Sequence, residues 1–102
     1  MGAPEAKIEN YLLSECNKRN YMCLKFVSPS TAGVPDRLII AKNLETGKRL
    51  VCFVETKAPG EKPRKLQLSV IAQMKEKGAD VFVADTREIV DQIIRWIENQ
   101  LS

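Results

Sequence analysis

Apolar residues recur at helical spacing in three parts of the chain. Near the N-terminus they predict a helix over residues 5–20, in which Pro4 suits the first turn. A second helix is predicted over residues 64–77, where Gly78 ends it. Asp85 and Glu88 resemble a capping box that begins a third helix, whose apolar face consists of Ile89, Ile93, Ile94, Ile97 and Leu101.

Four β-prone segments complete the pattern, at residues 21–27, 36–41, 49–57 and 80–84. The Ser, Pro and Gly content of residues 28–33 predicts a loop, and Glu-Thr-Gly within residues 43–48 predicts a hairpin connection. The predicted order is α-β-β-β-α-β-α. Because no repeat, low-complexity tract or internal boundary interrupts it, residues 1–102 are expected to form a single α/β domain.

The third predicted strand ends in two charged residues. Residues 50–54 are all apolar, which predicts a central strand buried on both faces. Strand alternation then places Glu55 and Lys57 on one face, about 7 Å apart at their Cα atoms. Burying such charges is costly unless they pair or bind an ion, so a simple ion pair and a functional site both remain open.

Asp36 follows Pro35 at the start of the preceding strand. Alone, an aspartate in this position is more typical of a turn. If the two strands form an antiparallel hairpin, however, the start of one lies beside the end of the other, and Asp36 meets Glu55. Two adjoining carboxylates repel unless a cation neutralises them, so the pattern favours a Mg²⁺ site.

Two polar residues fall inside predicted apolar helix faces. Gln67 lies within the arc of Leu66, Val70, Ile71 and Met74, and Glu9 lies within the arc of Ile8, Leu12, Leu13 and Cys16. A buried amide needs hydrogen-bond partners, which either a backbone group or a functional site would supply.

Composition narrows the possible chemistry. The chain has no histidine, which excludes Ser-His-Asp and Cys-His catalysis and His-ligated zinc. Its three cysteines match neither a CxxC pair nor an even disulfide framework, so we expect reduced, packed thiols at Cys16, Cys23 and Cys52. A net charge of +3 suits a polyanionic partner without requiring one. Without an apolar signal core or a membrane-length apolar run, a cytoplasmic protein is expected.

Three sequence segments together resemble the virus-type replication-repair nuclease (VRR-NUC) family of the PD-(D/E)xK superfamily. They are Gly-Val-Pro-Asp-Arg at residues 33–37, Phe-Val-Glu-Thr-Lys-Ala-Pro-Gly at residues 53–60, and Gln67. A bare Asp…Glu-x-Lys pattern is weak, but the preceding proline, the intervening hairpin and the later glutamine make a stronger match. The similarity runs from the first helix to residues 80–84, and it implies a restriction-endonuclease-like core with a mixed sheet flanked by helices.

The resemblance implies a Mg²⁺- or Mn²⁺-dependent DNA endonuclease. Asp36 and Glu55 would bind the metal, with the Thr56 carbonyl as a further ligand. Lys57 would orient the attacking water and stabilise transition-state charge. Glu9 would contribute to the metal and water shell, and Gln67 would support Lys57 or the scissile phosphate.

The resemblance also suggests partners. Residues beside the site would contact DNA, and the expected contacts are Ser28, Arg37, Lys62, Arg64 and Lys65. Stand-alone family members resemble Holliday-junction resolvases, and cutting two strands of a symmetric branch implies a homodimer. A phage-encoded protein in a bacterial host is compatible with this expectation. Four apolar residues could contribute to the dimer surface, although packing in the hydrophobic core explains their apolar character equally well. They are Tyr21, Met22, Trp96 and Leu101.

Other functions remain compatible with the sequence. A nuclease of the same fold directed at flaps, nicks or single strands is one, and a non-catalytic DNA-binding module is another. A plain α/β interaction domain would make the four polar positions coincidental. Solvated surface would equally explain the basic residues 62–65.

Overall fold

The structure, a computed structural model, describes residues 4–102. Its seven elements follow the predicted order, which confirms the α/β fold class. Their bounds are α1 Pro4–Lys18, β1 Met22–Lys25, β2 Arg37–Lys42, β3 Arg49–Thr56, α2 Lys65–Glu76, β4 Val81–Ala84 and α3 Arg87–Leu101. Within residues 4–102, no helix has the length and apolarity needed to cross a membrane.

The four strands form one mixed sheet in the order β1-β2-β3-β4. β1 pairs with β2, and β2 with β3, in antiparallel orientation, whereas β3 and β4 run parallel. The hairpin between β2 and β3 therefore places the start of β2 beside the end of β3. The parallel pair requires a crossover connection, which α2 supplies.

One face of the sheet carries the hydrophobic core. Ile39, Ala41, Cys52, Val54 and Ala84 point toward α1 and α3 and pack against the apolar stripes of both helices. The stripe of α3 contains the predicted residues, since Ile93, Ile94, Ile97 and Leu101 are buried and Ile89 packs against the core. It also contains Val90, which was not predicted and is fully buried. Burial raises the pKa of the Cys52 thiol to about 12, so this residue stays a protonated thiol within the core.

The helix ends differ from the predicted ones at two points. α1 ends at Lys18 because Asn20 adopts a left-handed conformation with φ of 61°, which turns the chain into β1. Thr86, rather than Asp85, is the N-cap of α3, and its hydroxyl accepts a hydrogen bond from the Ile89 N–H at 3.1 Å. Asp85 instead accepts from the Gly60 N–H at 3.2 Å, which ties the loop after β3 to the end of β4.

The prediction that β3 is buried on both faces is wrong for its first half. β3 lies between two strands as predicted, but Val51 is half-exposed on the face opposite the core. The cause is the placement of α2, which packs beside β4 and buries only Ile71 of its predicted apolar arc. Leu66, at the start of that arc, is 58% exposed.

The four residues suggested for a dimer surface separate into two groups. Tyr21 and Leu101 are buried in the core, and Trp96 stacks edge-to-face on Phe82 with ring centroids 4.9 Å apart. Met22 alone of the four is exposed. The prediction is therefore wrong for Tyr21 and Leu101, because both side chains close the core between α3 and the sheet.

Candidate active site

The β2–β3 hairpin brings Asp36 and Glu55 together at one end of the sheet. Arg37 pairs with Val54 in the strand register, so the preceding residue Asp36 lies beside Glu55. The Asp36 N–H donates to Glu55 Oε1 at 3.2 Å. The register thus produces the convergence of carboxylates that the sequence predicts.

Lys57 follows the last residue of β3 and returns toward Glu55. Its Nζ lies 3.4 Å from Glu55 Oε2 and 4.0 Å from Glu61 Oε1. The Lys57 backbone N–H donates to the Ala84 carbonyl at 2.8 Å, which extends the pairing with β4 beyond the strand itself. The ammonium group is therefore held at the same sheet end as both carboxylates.

Burial changes the proton affinity of Glu55, which is only 6% exposed. Loss of solvent raises the pKa of the Glu55 carboxyl, and the charge of Asp36 raises it further. The Gln67 side chain, Lys57 and the Asp36 N–H act in the opposite direction, but the pKa remains raised. A carboxylate that is costly to ionise gains stabilisation when a cation is bound beside it.

Gly33 sets the distance between the loop before Asp36 and the first turn of α2. Its φ is +86°, and a Cβ built there would lie 3.1 Å from the Cα of Gln67 and 3.3 Å from the Leu66 carbonyl oxygen. Both contacts are with backbone, which cannot move aside as a flexible side chain would. Gly33 therefore permits the approach that places Gln67 near Glu55.

We expect Gly33→Ala to lower both stability and cleavage. The substitution imposes a strained left-handed backbone and forces the loop away from α2, at a combined cost of about 2 kcal/mol. Displacing Gln67 should also slow cleavage about tenfold or more. Urea denaturation and a cleavage assay on the same sample measure the two effects.

Gly47→Ala is the matched control, because Gly47 has a φ of +76° and no atom within 4 Å of the added Cβ. It should cost only the backbone strain, about 1 kcal/mol, and leave cleavage unchanged. Equal losses of stability and activity in the two variants would show that the packing of Gly33 on α2 has no special importance.

A chain of ion pairs connects α1 to the same sheet end. Arg37 Nε donates to Glu9 Oε2 at 3.0 Å, and Lys25 Nζ donates to Asp36 Oδ2 at 3.0 Å while lying 3.9 Å from Glu9 Oε2. Glu9 is thus near the site but is held by Arg37. Lys25 was missed in the sequence analysis, because its position depends on the β1–β2 register, which no motif indicates.

The oxygen atoms at the site suit a hard divalent cation. Asp36 Oδ1 is buried and has no hydrogen-bond partner in the described chain, so one ligand lone pair is available. Within residues 4–102, no group of three or more His, Cys, Asp or Glu side chains is arranged to hold a metal. An ion here would therefore be held by the Asp36 and Glu55 carboxylates, a backbone carbonyl and water, which is a coordination that Mg²⁺ accepts.

The predicted DNA contacts occupy different environments. Lys62, Arg64 and Lys65 are exposed in the loop that leads into α2, and Ser28 is half-buried in the loop after β1. Arg37 is 13% exposed and paired with Glu9, so its guanidinium is directed to the protein interior. The loop before α2 thus offers more free cationic surface than the start of β2.

The chain is similar to known proteins over most of its length. A solved structure described as a VRR_NUC domain superposes with a TM-score of 0.78 at 27% identity, covering 92% of this chain and 97% of the other. The protein named "Putative nuclease p44" of Acyrthosiphon pisum secondary endosymbiont phage 1 is 45% identical over 85 residues, which are 83% of this chain and 86% of that protein. The chain belongs to the VRR-NUC family of nucleases. A scan against protein-family models gave no match.

Membership confirms the resemblance carried by the motif residues. In this VRR-NUC nuclease, Asp36, Glu55 and Lys57 lie together at the sheet end and Gln67 approaches from α2. Strand alternation turns the Thr56 side chain to the opposite face of β3 from Glu55, and its buried hydroxyl has no hydrogen-bond partner in residues 4–102. Only the backbone of Thr56 is therefore a candidate for a role in the site.

Proposed function

We propose that this nuclease is a single-domain, Mg²⁺- or Mn²⁺-dependent DNA endonuclease. The observation that carries the proposal is the meeting of Asp36 and Glu55, joined by the 3.2 Å contact from the Asp36 N–H, with Lys57 Nζ 3.4 Å from Glu55. Binding to DNA alone has no use for two carboxylates facing a phosphate. Hydrolysis assisted by a metal requires them.

Asp36 and Glu55 would hold the ion, with the Thr56 carbonyl as a third protein ligand and Glu9 acting through water. When bound, the ion would supply Lewis-acid activation of the phosphate and of a water molecule. Two observations support this assignment: Asp36 Oδ1 has no hydrogen-bond partner within residues 4–102, and the pKa of the buried Glu55 carboxyl is raised.

Lys57 and Gln67 would act on the reacting groups. The Lys57 ammonium is 15% exposed, and in this partly dehydrated setting it would orient the attacking water and stabilise developing negative charge. The Gln67 side chain interacts with Glu55, and from there its amide would hold Lys57 or the phosphate in position. Both roles require well-positioned side chains, and the close approach of Gly33 positions the backbone from which the Gln67 side chain extends.

DNA would approach along the loop before α2. Lys62, Arg64 and Lys65 are exposed there, and α2 begins without a side-chain N-cap, so backbone N–H groups of its first turn remain available to phosphate oxygens. Ser28 would add a neutral contact. Arg37 would contribute only if it left Glu9.

Cleavage of matched linear, nicked, flapped and four-way DNA with Mg²⁺, Mn²⁺ or EDTA tests the proposal. We expect incision with either metal and none with EDTA. Preference for flaps, nicks or single strands would redefine the substrate, and metal-independent binding without incision of any substrate would indicate a non-catalytic DNA-binding module.

An apolar row on the sheet favours a homodimer that resolves four-way junctions. Met22, Ile40 and Val51 are register neighbours on the same face as Glu55, and they are 54%, 39% and 51% exposed. Leu24 extends the row toward the site. Burying this row against a second copy would remove apolar surface from water and place two active sites in one particle, as paired incision requires.

We expect Val51→Lys to impair paired incision of four-way junctions without impairing cleavage of a nicked duplex. A charge in the centre of the row should give a monomer at micromolar concentration and reduce paired incision of a four-way junction at least about tenfold. Cleavage of a nicked duplex should stay within about threefold, because Val51 is remote from the ligands. Sedimentation and both assays on one preparation provide the measurement.

Leu44→Lys is the control, since Leu44 is 85% exposed in the β2–β3 connection and lies outside the row. A wild-type protein that sediments as a monomer would refute the homodimer while leaving metal-dependent cleavage intact.

A further inference from the structure

Lys25 occupies a position at the site to which no role has been assigned above. It is the last residue of β1 and pairs with Arg37 in the register, which brings its side chain beside Asp36. Its Nζ donates to Asp36 Oδ2 at 3.0 Å and lies 3.9 Å from Glu9 Oε2. One ammonium group thus lies between two carboxylates of the site.

The two oxygen atoms of Asp36 are in different states. Oδ2 accepts from Lys25, whereas Oδ1 is buried and has no partner in the described chain. A divalent ion bound to Asp36 would reduce the attraction that holds Lys25, because both cations draw on the same negative charge. Metal and ammonium are therefore competitors for this carboxylate.

Among the three cations of the cluster, Lys25 is the one that is free to leave. Its side chain is 56% exposed, compared with 13% for Arg37 and 15% for Lys57. An exposed ion pair is weak and a lysine side chain is flexible, so little opposes release. A released ammonium would lie at the rim of the site, where a DNA phosphate must pass.

We propose that Lys25 is an exchangeable counter-cation, which neutralises Asp36 in the metal-free protein and is released by the metal to contact a DNA phosphate. The proposal rests on the metal-dependent function above and adds to it a coupling between metal binding and DNA binding. Lys25 then suppresses metal affinity in the absence of DNA and contributes to DNA affinity once metal is present.

Calorimetric titration with MnCl₂ and CaCl₂ tests the first half of the coupling. Lys25→Met should raise the affinity for metal about three- to tenfold, since it removes the competing charge. Lys25→Arg keeps the charge and should resemble the wild type, as should Lys42→Met, which removes an exposed lysine at the far end of β2. Unchanged or weaker metal binding by a folded Lys25→Met protein would overturn the proposal.

Binding of a labelled DNA duplex at several salt concentrations tests the second half. In CaCl₂, which provides a hard cation, Lys25→Met should reduce the number of phosphate contacts read from the salt dependence by about one. In EDTA, the slope of log DNA affinity against log salt concentration should be equal for wild type and variant, because Lys25 is then held by Asp36. Equal slopes under both conditions, or a reduced slope under both, would contradict metal-controlled release.

The wild-type titration separates this proposal from the function on which it rests. Wild-type metal binding that Glu55→Gln abolishes establishes the ion site, and an unaltered Lys25→Met titration then refutes the role of Lys25 alone. Absence of any Glu55-dependent metal binding would refute the metal-dependent function itself.

Discussion

Glu55→Gln should reduce DNA cleavage by at least about 10³-fold while making the metal-free protein more stable. The amide retains the size of the side chain and can still accept from the Asp36 N–H, but it supplies no charge to a divalent ion. Mg²⁺ or Mn²⁺ should therefore no longer raise the melting temperature, because a metal that does not bind the folded state cannot stabilise it.

The gain in stability expected for Glu55→Gln follows from the direction in which the Glu55 pKa is shifted. Burial raises this pKa, so the folded protein holds the proton more tightly than the unfolded chain and loses stability as pH rises through the range between the two values. Above that range the ionised carboxylate is a net cost. Its replacement by a neutral amide should raise stability by roughly 0.5–1 kcal/mol, or about 2 to 8 °C in melting temperature.

Glu61→Gln is the matched control, because Glu61 is an exposed carboxylate 4.0 Å from the same Lys57 ammonium. It should change neither cleavage nor the response to metal appreciably. A Glu55→Gln protein that is folded and still cleaves DNA within about tenfold of the wild type would remove Glu55 from the metal site.

Lys57→Met should reduce cleavage about 10²- to 10³-fold and leave metal binding intact. The methionine side chain fills a similar volume but has no charge to orient water or stabilise the transition state. Metal affinity should be equal or greater, since the variant removes a cation that lies 3.4 Å from Glu55 Oε2. Lys57→Arg should not restore activity, because the longer planar guanidinium does not place its charge where the ammonium lies.

Lys62→Met tests whether the loss of cleavage in Lys57→Met depends on the position of the lysine or only on the lower net charge of the protein. Lys62 is exposed in the loop before α2, and its loss should weaken DNA binding modestly and uniformly across substrates. Single-turnover cleavage at saturating protein separates the two variants, because saturation corrects a binding defect and not a chemical one. Equal single-turnover rates for both variants would show that Lys57 serves only to bind DNA.

Agreement between sequence and structure is closest where chemistry and periodicity coincide. Four of the five residues predicted for the α3 stripe are buried, since a strongly amphipathic helix has one way to bury its apolar face. The prediction missed Val90, which is fully buried, and included Ile89, which is only partly buried. The meeting of Asp36 with Glu55 was predictable because a hairpin fixes which strand ends adjoin. The placement of Lys57 on the same face as Glu55 was predictable from the alternation of side chains along β3.

Two of the failures, at Leu66 and Val51, share one physical cause, which is that periodicity does not reveal what covers a face. Leu66 lies in an apolar arc and is exposed, because α2 packs beside β4 and contacts little else. Val51 is apolar within a central strand, yet its face lacks a covering helix in the described chain. Thr86 replaced Asp85 as the N-cap because capping depends on backbone geometry at a single residue, which sequence preferences indicate only within a position or two.

By itself, the sequence determined the order of the elements and the hairpin that joins β2 to β3. It also determined which types of residue this hairpin brings to one end of the sheet. These are local properties, set by spacing and by the short reach of a hairpin. The tertiary structure alone decided which cations besides Lys57 lie among the carboxylates. Lys25 reaches Asp36, and Arg37 reaches Glu9, only through the β1–β2 register and the packing of α1. The tertiary structure also decided which apolar face stays open, since burial is a property of the elements that meet and not of either one alone.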